Sequence, residues 1–185
     1  MPKIFVDSTK GLYQKSANKQ QSGIQYNSGL YGQVIPAFKE ITTVSGATTL
    51  ARNSLNRVTS TTTIVIGLPA AADCVAGDVI VVEYDANLAN TEKHDYGTAG
   101  EFYSVASVVW KGIAGALHRH DVGRANGTTH DFLKLTGATN GGVGVGTRLV
   151  FVFNGSNWTV ECWARHSSAG SGAVAVTAAF ATTSG

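Results

Sequence analysis

Hydrophobic and polar residues alternate with a period of two through much of this chain. The clearest stretch runs from Thr147 to Arg165. Leu149, Phe151 and Phe153 fall on one face of a strand, and Arg148, Val150 and Val152 fall on the other. Asn154-Gly155-Ser156-Asn157 then supplies residue types that tolerate the positive φ of a tight turn. On the return arm Trp158, Val160 and Cys162 share a face, opposite Thr159, Glu161 and Trp163. The pattern predicts a β-hairpin with one aromatic-rich face turned to a core.

The same period predicts further strands. Ile64, Ile66 and Leu68 alternate with Thr63, Val65 and Gly67 and stop at Pro69. The continuous apolar run Val79–Tyr84 suits a strand buried on both faces. Phe102–Trp110 and Phe132–Leu135 read as strands, Thr42–Val44 and the segment around Leu50 as weaker ones. Val174, Val176, Ala178 and Phe180 read as a closing strand or an extension onto a neighbouring copy. Residues 85–100 are polar and read as an exposed loop. Residues 112–131 read as a Gly- and His-rich surface loop with a short strand near Ala116-Leu117. Only the stretch near 50–57 offers a helix of any length. The expectation is an all-β fold.

The first 33 residues break the pattern. After Ile4-Phe5-Val6 comes a polar tract of Lys, Gln, Ser, Asn and Gly with an internal echo, Gly11-Leu12-Tyr13-Gln14 and Gly29-Leu30-Tyr31-Gly32-Gln33. So few apolar residues cannot bury a core of their own, so alone the segment is expected to be extended or disordered. Ile4, Phe5, Tyr13, Tyr26, Leu30 and Tyr31 are nevertheless more apolar groups than a linker needs. An arm over residues 1–33 that gains order on another surface accounts for both facts. The body is then residues 34–185, of which the last fifteen or so form the closing strand or inter-subunit extension.

Composition narrows the function. Hydrophobic residues make up 43% of the 185 residues and charged ones only 14%, with 22 glycines, which favours strands and turns over helices. The net charge of +2 is too small for a nucleic-acid footprint. The arm is the basic part: Lys3, Lys10, Lys15 and Lys19 stand against Asp7 alone, a net +3 that suits an acidic protein surface. No apolar run approaches the ~18 residues of a membrane helix, and no secretion signal is legible after Met1-Pro2-Lys3. Cys74 and Cys162 read as small buried hydrophobes, with a single bridge as the alternative.

Catalytic patterns are thin. Gly112, His118 and His120 match the front of the first cupin metal motif, in which two imidazoles two residues apart share a metal. The glutamate expected a few residues on is missing among Asp121, Val122, Gly123 and Arg124, and neither His130 nor His166 continues the motif. Gly141-Gly142-Val143-Gly144-Val145-Gly146 precedes a strand and lacks the Lys-Ser/Thr of a phosphate loop. No catalytic residue, cofactor or metal is expected.

Three features together resemble the head decoration (cement) proteins of tailed bacteriophages. They are the extended amino-terminal arm, the strand ending in Leu68-Pro69-Ala70-Ala71-Ala72 with Gly77-Asp78 after it, and the hairpin Leu149–Val160 with an aromatic after its turn. The resemblance implies a β-sandwich or jelly-roll-like domain that forms a homotrimer on the outer surface of the virion capsid, after synthesis in the host cytoplasm. The partner would be the major capsid protein, gripped by the arm through Ile4, Phe5, Lys10, Tyr13, Lys15, Lys19, Tyr26, Leu30 and Tyr31. A head- or tail-fibre adhesion module that binds a host surface or glycan, using Trp163 and the loops at 85–100 and 112–131, is the alternative reading. A cupin-like metalloenzyme is a third.

Overall fold

In a computed structural model the described residues are 3–7, 11–15, 41–112, 120–138, 142–167 and 178–184. The chain divides into two units, Met1–Ala37 and Phe38–Gly185. In the first, β1 (Lys3–Asp7) and β2 (Gly11–Lys15) pair antiparallel as a two-stranded sheet of their own.

The second unit is all-β. Its strands are β3 (Ile41–Val44), β4 (Thr48–Thr49), β5 (Ser54–Val58), β6 (Ile64–Gly67), β7 (Val79–Tyr84) and β8 (Lys93–Gly97). The remainder are β9 (Val108–Gly112), β10 (His120–Arg124), β11 (Phe132–Thr136), β12 (Arg148–Phe153), β13 (Trp158–Ala164) and β14 (Ala178–Ala181). They form a seven-stranded sheet, β10-β9-β13-β12-β7-β5-β3, and a five-stranded sheet, β14-β11-β8-β6-β4. Apolar side chains from both sheets make one core, so the body is a β-sandwich.

From β3 to β8 the chain changes sheet at every strand. Consequently β3, β5 and β7 lie parallel in one sheet, and β4, β6 and β8 lie parallel in the other. The later strands close this winding with antiparallel partners: β12 pairs with β7, and β11 pairs with β8. The predicted hairpin is β12–β13, with Phe153 opposite Trp158, Phe151 opposite Val160 and Leu149 opposite Cys162, all of them buried. At its turn Gly155 takes φ +101°, and Asn154 Oδ1 accepts the Ser156 and Asn157 amides at 2.9 and 2.8 Å.

Four sequence expectations need correction. Residues 85–100 are not simply an exposed loop, because they contain β8, where His94, Asp95 and Tyr96 are all buried. The strand expected over 102–110 begins only at Val108. Ser107 N donates to Ser104 O at 2.9 Å and makes a turn there, and Ser107 Oγ accepts the Val160 amide at 3.1 Å. The stretch near 50–57 is a strand, with Ser54 and Asn56 occupying inward positions that would normally be apolar. The asparagine is tolerated there because its amide donates to Ser54 Oγ and to the Val81 carbonyl. Within 112–131, His120–Arg124 is a strand paired with β9, and Ala116-Leu117 lies outside the described residues. The two cysteines are both free, Cys162 buried and Cys74 half-buried, so no bridge joins them. The predicted closing strand is present as β14, while Val174 and Val176 lie outside the described residues.

Candidate functional site

Of the nine arm residues singled out by sequence, four lie on the β1–β2 ladder. Its register sets Phe5 opposite Tyr13, Ile4 opposite Gln14 and Lys15 opposite Lys3. Lys10, Lys19, Tyr26, Leu30 and Tyr31 lie outside the described residues, as does His118 of the His-x-His pair. His120 sits on β10 at the register position of Gly112. Among the described residues, no group of three or more His, Cys, Asp or Glu side chains is placed to hold a metal ion.

A fully buried polar cluster of the body was not legible in the sequence. Tyr96 donates its hydroxyl proton to Tyr84 Oη at 3.0 Å, and Tyr84 in turn meets His94 Nδ1 at 2.9 Å. His94 Nε2 lies 3.0 Å from the Thr62 carbonyl. A carbonyl only accepts, so Nε2 carries the proton and Nδ1 accepts from Tyr84. The chain therefore runs Tyr96 to Tyr84 to His94 to Thr62, across the seam between β7 and β8, with every member satisfied by a neutral imidazole. Burial holds the His94 pKa below its usual value and pushes the phenols of Tyr84 and Tyr96 above theirs. The three rings have essentially no exposed surface. With no access for a substrate, this is a structural network linking the two sheets.

A second cluster fixes the loop between β6 and β7. Asp78 accepts the Val75 amide at 2.8 Å, the Asn53 amide group at 2.8 Å and Arg52 at 3.3 Å. The Val75 amide contributes most to holding the Asp78 carboxyl below its usual range. Both thiols have raised pKa values through burial, so neither resembles an activated nucleophile.

Among the described residues, two accessible surfaces are candidates for binding. One is the outer face of the seven-stranded sheet, where Trp163 and Trp110 occupy matched positions on parallel neighbours and Val122 stands opposite Trp110. Trp163 and Val122 are each 40% exposed there. The other is a cleft of about 190 Å³ lined by Ala71, Gly100, Glu101, Phe102, Phe153, Ser156, Asn157 and Trp158. Three loops build it and hold one another by hydrogen bonds. Trp158 Nε1 donates to Pro69 O at 3.1 Å, Asn157 Nδ2 to Phe102 O at 2.9 Å, and Ala71 N to Glu101 Oε1 at 3.0 Å. Asn157 and Glu101 carried no signal in the sequence, because each looks like an ordinary turn residue until the loops are brought together.

No protein-family model, curated protein or solved structure matches this chain.

Proposed function

We propose that this protein is a capsid decoration protein of a tailed bacteriophage. In this reading it binds the outside of the head as a homotrimer and clamps neighbouring major capsid subunits. The observation that carries the proposal is the separate amino-terminal unit, Met1–Ala37, with its own β1–β2 hairpin. A two-stranded hairpin is at best marginally stable in water. This one carries Ile4, Phe5, Val6, Leu12 and Tyr13 together with Lys3 and Lys15. Such a segment gains most by docking on an acidic, partly apolar protein surface. A trimer presents three such segments at once, so modest affinity for each becomes strong attachment through effective concentration. The sandwich of the second unit, braced by its buried ring network, is suited to bearing load.

Deletion of residues 1–37 tests the reading. The shortened protein should keep the far-ultraviolet circular dichroism of a β-sandwich yet fail to co-sediment with undecorated heads. Undiminished co-sedimentation would remove the arm from the mechanism.

The exposed Trp163 beside Trp110 favours a second reading, a fibre module that adheres to a host surface. Copy number separates the two. Quantitative mass spectrometry of purified virions should find the protein at a large fraction of the major capsid protein's abundance for decoration, and at a few copies for a fibre.

A further inference from the structure

We propose that the cleft between the β12–β13 turn and the loops following β6 and β8 is a binding site for one neutral sugar ring. This inference does not depend on the decoration reading, since none of the lining residues belongs to the amino-terminal unit.

Size is the first argument. A volume of about 190 Å³ is that of a small cleft, on the scale of a single six-membered ring with its hydroxyls. It is below the ~300–1,000 Å³ of sites for drug-sized ligands and cofactors.

The chemistry of the walls is the second argument. Half-buried Phe102 presents an aromatic surface, backed by buried Phe153 and Trp158, while Glu101, Ser156 and Asn157 supply polar groups. A pyranose has the matching pair of properties, an apolar C–H face and a rim of hydroxyls. The two oxygens of Glu101 share one protein donor, Ala71 N, at 3.0 and 3.2 Å. A carboxylate offers about four acceptor positions, so Glu101 keeps capacity for ligand hydroxyls. Its negative charge also sets the class of ligand, because an anionic sugar or a phosphate would be repelled.

Preorganisation is the third. Glu101 is held by Ala71, Phe102 by Asn157, and Gly100 by buried Asp131, whose Oδ2 accepts the Gly100 amide at 3.1 Å. Gly100 itself sits at φ +82°, and a Cβ there would meet nothing within 4 Å, so the wall is open at that point. A ligand therefore meets a site whose loops are already ordered, which lowers the entropic cost of binding.

The test uses saturation-transfer NMR with the full chain and free glucose, galactose, mannose and N-acetylglucosamine at millimolar concentration, alongside a glycan array. At least one neutral hexose should show transfer. Phe102→Ala and Glu101→Gln should each weaken it by about tenfold or more. Ser156→Trp, which fills the cleft from the exposed turn, should abolish it while leaving the melting temperature unchanged. Deletion of residues 1–37 should leave sugar binding intact, which separates this result from the fate of the decoration reading. The proposal is overturned by any of three results. These are no transfer from any neutral sugar together with a blank array, binding confined to anionic glycans, or binding that Phe102→Ala, Glu101→Gln and Ser156→Trp all leave unchanged.

Discussion

Replacing Tyr84 with Phe removes a single oxygen from the core, yet it should be among the more damaging conservative substitutions in the body. That oxygen accepts from Tyr96 and donates to His94, so its loss leaves two buried groups without partners. An unpaired buried polar group costs roughly 1–3 kcal/mol, which makes the expected loss about 2–6 kcal/mol. For a domain of this size, each kcal/mol moves the melting temperature by ~2–4 °C. Urea unfolding followed by tryptophan fluorescence measures the loss directly. The double variant Tyr84→Phe/Tyr96→Phe supplies the control. With both hydroxyls gone only His94 Nδ1 is orphaned, so the double change should cost no more than Tyr84→Phe alone and the cycle should show strong coupling. The network also predicts a pH dependence. The folded-state pKa of His94 is lowered, so the unfolded chain binds the extra proton more readily. Its contribution to stability is complete above the unfolded value of ~6.5 and is lost as pH falls from there toward the folded pKa. His94→Leu should remove that part of the acid sensitivity. A Tyr84→Phe cost below ~0.5 kcal/mol, the range of ordinary surface substitutions, would refute the network as a load-carrying link.

Other sites give independent checks. Asp78→Ala should cost about 1–3 kcal/mol by stranding the Val75 amide and Asn53, and it should also flatten the stability profile at acid pH. The sign follows from the lowered pKa of Asp78, whose contribution is present above the unfolded carboxylate value and lost as pH falls below it. Gly97→Ala should fail to give folded protein in expression trials, since Gly97 sits at φ +145° and a Cβ would collide with the Asp131 carbonyl. In a thiol titration with an aromatic disulfide, native protein should release at most one equivalent, from Cys74, and a second only in denaturant, because Cys162 is fully buried.

Period-two patterning worked where the core face of a strand is purely apolar. The β12–β13 hairpin and β6 were therefore legible down to which side chains point inward, while β7 was legible as a strand, although Glu83 is exposed where burial on both faces was expected. It failed where polar residues occupy buried positions with their partners supplied from elsewhere. In β8 the inward residues are His94 and Tyr96, and their partners come from Tyr84 and Thr62, ten and thirty-two positions away from His94. In β5 Asn56 fills a core position because the Val81 carbonyl, twenty-five residues on, accepts from it. No local window contains those partners, so both strands look like loop or weak helix. The opposite error occurred at Phe102–Ser107, where Tyr103 is buried but donates its hydroxyl proton to the Tyr96 carbonyl from a loop segment and not from a ladder.

The cleft was illegible for a related reason, and the topology explains how it arises. In an antiparallel meander successive loops leave opposite ends of the sheet. Here β6 and β8 are parallel neighbours, with Ile64 beside His94 and Ile66 beside Tyr96, so both strands end on the same side. The loops that follow them emerge next to each other, although thirty residues separate them in sequence. Thr98 Oγ1 can then donate to Leu68 O at 3.0 Å, and Glu101 can accept from Ala71 N. The β12–β13 turn reaches the same end, where Trp158 Nε1 ties it to Pro69 and Asn157 ties it to Phe102. Sheet alternation from β3 to β8 thus does more than fill a core, because it gathers loops from distant parts of the chain at one end. Thr98→Val tests that argument away from the cleft walls. It should loosen the β6–β8 loop pair, raising hydrogen exchange at the Ala71 amide while exchange within β12 and β13 stays unchanged. Equal exchange at Ala71 in the two proteins would mean that the loops are fixed by something other than the parallel neighbours beneath them.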